Sequence, residues 1–232
     1  MDAAAEGLDE QLRRVDPDRW LTSRFIADPA QRTEVAALYL FDHELARARR
    51  AASTALLAEI RLTWWREVLD EIFAEGPARH HPVAQALAAA VRRHGLPRAP
   101  LEAMIDGQIA ALDDPVLDRA AALAWADAVE GSAARLAALV LDASGPADAA
   151  SASGRAWGLA LLLRAGLAVR ETIDPLLREA LAEARSDARR LSVKAMPAAL
   201  PARLARFDLA GRTPGRVAKQ FSLILAAAAG RL

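Results

Sequence analysis

The 232-residue chain contains no cysteine, which excludes disulfides, zinc–thiolate centres and a thiol nucleophile. It has no excess of charge either. Thirty basic and 30 acidic residues leave a formal net charge of zero, so no overall field draws the protein to nucleic acid, which is not expected as a partner. Long hydrophobic runs are also missing: the longest apolar stretch, Ala156 to Val169, is interrupted by Arg164 and is too short to span a bilayer. The first residues, MDAAAEGLDEQLRRVDP, are rich in acids and lack the apolar segment of a secretory signal. The GxGxxG, P-loop and GxSxG patterns are absent, which removes the common nucleotide-binding and hydrolase readings. The expectation is a soluble cytoplasmic protein, and contact with the periphery of the inner membrane is compatible with it.

What is present favours helix. Hydrophobic residues make up 53% of the chain, Ala and Leu dominate, and no stretch alternates as a strand would. The expected fold class is all-α, a single domain over residues 1–232 with 1–17 as a flexible lead-in. Asp28-Pro29 reads as helix cap and first turn. AAST breaks that helix, and the next runs to Gly76-Pro77. His81-Pro82 opens another, which Gly95 stops. Pro115 is expected to open a helix to about Leu141 with Asp114 as its cap, SGPADAAS to be a loop, and Ser153 to Val169 to form a helix buried nearly all round. Asp174-Pro175 is expected to start the next helix. The last is placed near Arg216 to Ala229.

Several groups of polar residues invite a functional reading and do not sustain one by spacing alone. Asp114 and Asp118 are four apart, but the proline between them favours capping over cation binding. Asp42, His43 and Glu44 are consecutive and point in different directions on a helix. Glu67, Asp70 and Glu71 read as a solvated face, and His80, His81 and His94 as capping or packing residues. Trp64 and Trp65 lie about 100° apart on a helix, so one can enter the core while the other faces a neighbouring helix or a cavity.

Taken in order, DRWLTSRFIADPAQRTEVAALYLFDHELARAR, IRLTWWREVLDEI, HPVAQALAAAVRRHGL, LEAMIDGQIAALDD, WADAVEGSAARLAALVL and GRAWGLALLLRA resemble the squalene/phytoene synthase family from about Asp18 to Ala168. The resemblance implies an isoprenoid-synthase-like helical bundle around a central cavity. In active members, two aspartate-rich motifs hold magnesium ions that neutralise the departing diphosphate. The matching positions here are Ala46, Arg47 and Arg50 in the first motif, and Ala165 and Val169 in the second. Arginine in place of carboxylate opposes a divalent cation.

The pattern is most similar to a non-catalytic branch that includes the mitochondrial assembly factor for respiratory complex I. It therefore implies no catalytic residue, no metal and no cofactor, and a protein partner, either a respiratory complex subunit or an assembly factor. Two alternatives accompany it. One is an atypical prenyltransferase using Mg2+ held by Glu44, Glu67, Asp70 or Asp106; the other is a protein that binds a prenyl or other lipid. The candidate ligand-binding or cavity-lining residues are Arg24, Arg47, Arg50, Arg61, Trp65, Asp106 and Arg164. Asp106 is the partner to test for Arg164, whose charge in an apolar run needs one. After Ala168 the chain passes quickly to VRETIDPLLREALAEA, so one wall of the cavity is expected to be short.

Overall fold

A computed structural model describes residues 3–76, 79–112 and 116–232. Twelve α-helices and no strand occur among the described residues, as the composition predicts. Residues expected as a flexible lead-in form α1, Ala3–Val15, because Leu8 and Leu12 fall on one helix face and are buried. A one-residue break leads to α2, Pro17–Ser23, capped by Asp16. Asp28 caps α3, Pro29–Arg50, by accepting from the Ala30 amide. Thr54 caps α4, Ala55–Phe73. Next come α5, Pro82–His94, and α6, Arg98–Ala110. Gly95 adopts φ +59° at the end of α5, a conformation that disfavours any side chain.

The proposed cap at Asp114 and start at Pro115 lie outside the described residues. The helix that follows, α7, spans Arg119–Ala126, and its cap is Asp118, which accepts from the Ala121 amide. A wide helical turn over 127–131 joins α7 to α8, Ser132–Leu141. The stretch expected as a loop contains a tight turn at 147–150 that runs straight into α9, Ser151–Arg164. This helix is buried nearly all round but ends at Arg164, short of Val169, where Gly166 turns back with φ +67°.

Pro175 does not open a helix. It lies inside α10, Arg170–Asp187, and Asp174 pairs with Arg170 at 3.0 Å instead of capping. As the sixth residue of the helix, the proline removes the donor that would otherwise pair with the Glu171 carbonyl. The chain ends with α11, Pro201–Leu209, and α12, Arg216–Ala229.

Two apolar clusters form around long helices. Residues of α1, α3, α4, α5, α6 and α8 build the first around Leu38, Phe41, Leu45 and Leu69. The second gathers α7 and α9–α12 around Trp157, Leu177, Leu204 and Leu223. Trp20 and Leu191 pack against both. Each large aliphatic residue removed from water contributes roughly 1.5–3 kcal/mol before entropy is counted.

The second cluster is held close by glycine. A Cβ at Gly154 would lie 2.0 Å from the Glu130 carbonyl oxygen, and one at Gly158 3.1 Å from Ala126. Small residues four apart therefore let α9 approach the 127–131 turn backbone to backbone, which fixes where Glu130 projects.

Candidate functional site

A cavity of about 420 Å³ lies between the two clusters, with walls from α2, α3, α6, α7, α9 and α12. The positions compared with the aspartate-rich motifs converge here in part. Ala46 and Arg50 of α3 and Ala165 after α9 line the cavity. Arg47 points elsewhere, and Val169 precedes α10 and is about half exposed.

Arg19 dominates the floor. Asp16 accepts from the Arg19 amide at 2.9 Å and from its Nε at 2.5 Å, so the residue that caps α2 also aims the guanidinium. Arg19 then donates to Asp42 of α3 at 2.6 Å and to Glu130 at 3.0 Å, and its guanidinium lies 4.8 Å from the Tyr39 ring centroid. The side chains of Arg19, Asp42 and Glu130 are all at least 95% buried. Burial pushes the Glu130 carboxyl well above its ordinary value; Arg19 opposes this and the Asp42 and Asp16 charges reinforce it.

A second ionic cluster stands at the cavity mouth. Arg164 makes a bidentate pair with Asp208 at 2.7 and 2.8 Å, donates to Asp18 at 3.0 Å, and covers the Trp157 ring at 4.7 Å. Lys219 of α12 reaches the same Asp18 at 2.7 Å. It does so on the side where a short wall was expected. Burial depresses the basicity of His43. Burial, helped by neighbouring Arg50, also lowers the basicity of Arg49.

The sequence candidates separate into three places. Arg50 and Arg164 line the cavity. Arg47, Arg61 and Trp65 border a separate groove of about 350 Å³ with Trp64 and His81; Trp65 is buried and stacks edge-on against Phe41 at 5.2 Å, while Trp64 is only half-buried. Arg24 and Asp106 are in neither. Arg24 pairs with Asp9 over the Trp20 ring. Asp106 is not the partner of Arg164 but pairs with Arg66, because its position on α6 faces α4 instead of α9. The acids considered as substitute metal ligands are equally dispersed: Glu44 pairs with Arg47, Glu67 with Arg79, and Asp70 with Arg98. None of the four lines the cavity.

Asp16, Asp18, Arg19, Glu130, Asp208 and Lys219 were missed by the sequence reading. Asp16-Pro17 repeats the cap signature of Asp28-Pro29, so the Asp16–Arg19 contact was available locally. The partners of Arg19 at 23 and 111 residues' separation were not.

Magnesium does not fit this donor set. Among the described residues no group of His, Asp and Glu could hold a metal ion, and the cavity's four carboxylates are each bonded to a cation of the chain itself. Unpartnered polar groups remain for a ligand: the Gln108 amide, Trp125 Nε1, Trp157 Nε1 and one Glu130 oxygen are buried, line the cavity and have no protein partner among the described residues. Beside Leu161, Leu162 and Leu167 they form a chamber with an apolar wall and a few directed polar groups.

Comparison with known proteins gives consistent results. Residues 12–168 match the Squalene/phytoene synthase family. NADH dehydrogenase (ubiquinone) complex I, assembly factor 6 of Bos taurus is 33% identical over 162 residues, 67% of this chain and 47% of that protein. The Homo sapiens protein of the same name is 32% identical over the same extent. The chain thus spans about half the length of the curated relatives it matches. A crystal structure of a dehydrosqualene synthase in complex with ligand superposes with a TM-score of 0.78 at 15% identity, covering 97% of this chain and 95% of the other. That likeness extends the shared fold beyond Ala168, through α10, α11 and α12.

Proposed function

The chain belongs to the squalene/phytoene synthase family, and from that premise we propose that it does not condense prenyl diphosphates and acts through protein contacts in the assembly of a respiratory NADH dehydrogenase. The observation that supports this most is the occupation of the cavity's acids. Asp16, Asp42 and Glu130 surround Arg19, and Asp18 is shared by Arg164 and Lys219. Ionisation of a prenyl diphosphate needs several kcal/mol of stabilisation of the departing group, which metal ions held by free carboxylates supply. Here the carboxylates already neutralise fixed cations, and Arg50 occupies a ligand position. The similarity to the Bos taurus and Homo sapiens assembly factors supports the respiratory context.

Purified protein incubated with farnesyl or geranylgeranyl diphosphate is expected to release no diphosphate above a protein-free control, with or without magnesium, beside an active family member. Turnover abolished by a chelator would overturn the inactive reading and return the prenyltransferase alternative. Deletion of the gene is expected to lower the level and activity of complex I; unchanged values would remove the assembly role. The apolar cavity wall and unpartnered buried polar groups favour one second reading, binding of a prenyl or other lipid without chemistry. Extraction of such a lipid from the purified protein would support it.

A further inference from the structure

We propose that the outward face of α12 docks on an anionic lipid bilayer surface, lying in the interface without crossing it. This inference does not rest on the assembly role. It begins with a helix that is apolar on two sides. Leu223 and Ala226 are buried against α11 and the second cluster. On the opposite side, Val217, Phe221, Ile224 and Leu225 recur at helical spacing and are 80, 62, 47 and 50% exposed. Water-facing apolar groups spaced in this way on one helix are an interaction surface, not scattered surface residues. The helix has 14 residues, about 21 Å, and no helix among the described residues is long and apolar enough to cross a membrane.

The charge around this face selects the occupant. Residues 209–232 contain Arg212, Arg216, Lys219 and Arg231 and no acidic residue, although the whole chain is neutral. Lys219 turns inward to Asp18 and Arg216 lies over the Trp20 ring at 5.1 Å, which leaves Arg212 and Arg231, both exposed, just before and just after the helix. With no acid in this segment, such a surface suits the bilayer interface, where the hydrocarbon face enters the acyl boundary and the adjoining cations meet anionic headgroups. Beside the last turn of α12, an apolar groove of about 250 Å³ opens between Ala227 and the 188–200 segment, edged by Arg189 and by Val193, which is 92% exposed. Its mostly apolar lining suits a hydrocarbon chain.

Flotation of the full chain with vesicles tests the proposal. The protein is expected to float with vesicles of phosphatidylcholine and phosphatidylglycerol, to float much less with phosphatidylcholine alone, and to be released by salt. Phe221→Glu, on an exposed position, should weaken partition on the order of tenfold, and Arg212→Glu with Arg231→Glu should do so for anionic vesicles alone. Ile60→Glu, on the exposed apolar surface of α4, should leave partition unchanged, and circular dichroism should show all variants folded. No flotation, or partition insensitive to Phe221→Glu, would overturn the proposal. So would a dimer seen by sedimentation velocity that Phe221→Glu dissolves without any vesicle binding, which would give the face to a second copy of the chain.

Discussion

Glu130 is 2% exposed and shares one guanidinium with Asp16 and Asp42, so full ionisation would leave buried negative charge in excess. Its raised pKa follows from burial first, with Arg19 opposing and the two aspartates reinforcing. A proton held more tightly by the folded chain than by the unfolded one stabilises folding below the ordinary value of 4.5, and that contribution is lost as pH rises from there through the folded value. Glu130→Gln resembles the protonated group at every pH. Its stability relative to the unmodified protein should therefore increase as pH rises above the ordinary carboxyl value of 4.5, read by urea unfolding. Parallel profiles would contradict the assignment. At this scale the sequence was partly informative: Arg164 was singled out because a charge in an apolar run needs a partner, but which acid answered it depended on α11 returning to the mouth of the cavity.

The α9 helix sets how tightly the second cluster closes. Gly154 allows contact with the backbone of the 127–131 turn, and Gly107 of α6 approaches the same turn, where a Cβ would meet the Val129 side chain at 2.7 Å. Gly154→Ala places a methyl group 2.0 Å from a carbonyl oxygen, a conflict backbone cannot relieve by a rotamer change. We expect a loss of about 3 kcal/mol in unfolding free energy by denaturant titration; Gly95→Ala would act by a different route, through its positive φ. Helix starts at Pro29 and Pro82 and the bounds of α12 were legible because cap and proline chemistry is local. The start of α10 was not, because Asp174 found Arg170 as an ion-pair partner and the helix was extended through Pro175. The wide turn at 127–131 has no comparable local signal, since its geometry is imposed by the helices packed on both sides.

Across the whole molecule, Arg19 ties the two halves together. It joins α2 to α3 of the first cluster and to Glu130, beside Val129 of the second. Arg19→Met would leave three carboxylates around an uncharged side chain, and breaking a buried ion cluster from one side costs about 3–5 kcal/mol. The expected result is a matching fall in unfolding free energy; a change below about 1 kcal/mol would mean the acids are satisfied without it. By itself the sequence determined the all-helical class, most helix boundaries, the family, and the absence of a carboxylate at positions 46, 47, 50, 165 and 169, because each rests on residue identity or short spacing. Only the tertiary structure decided that Arg19 would gather Asp16, Asp42 and Glu130, that Asp18 would be shared by Arg164 and Lys219, and that Arg47 and Arg61 would turn to a separate groove. Those pairings join residues distant in the chain, and their strength comes from desolvation that exists only once the helices have closed around them.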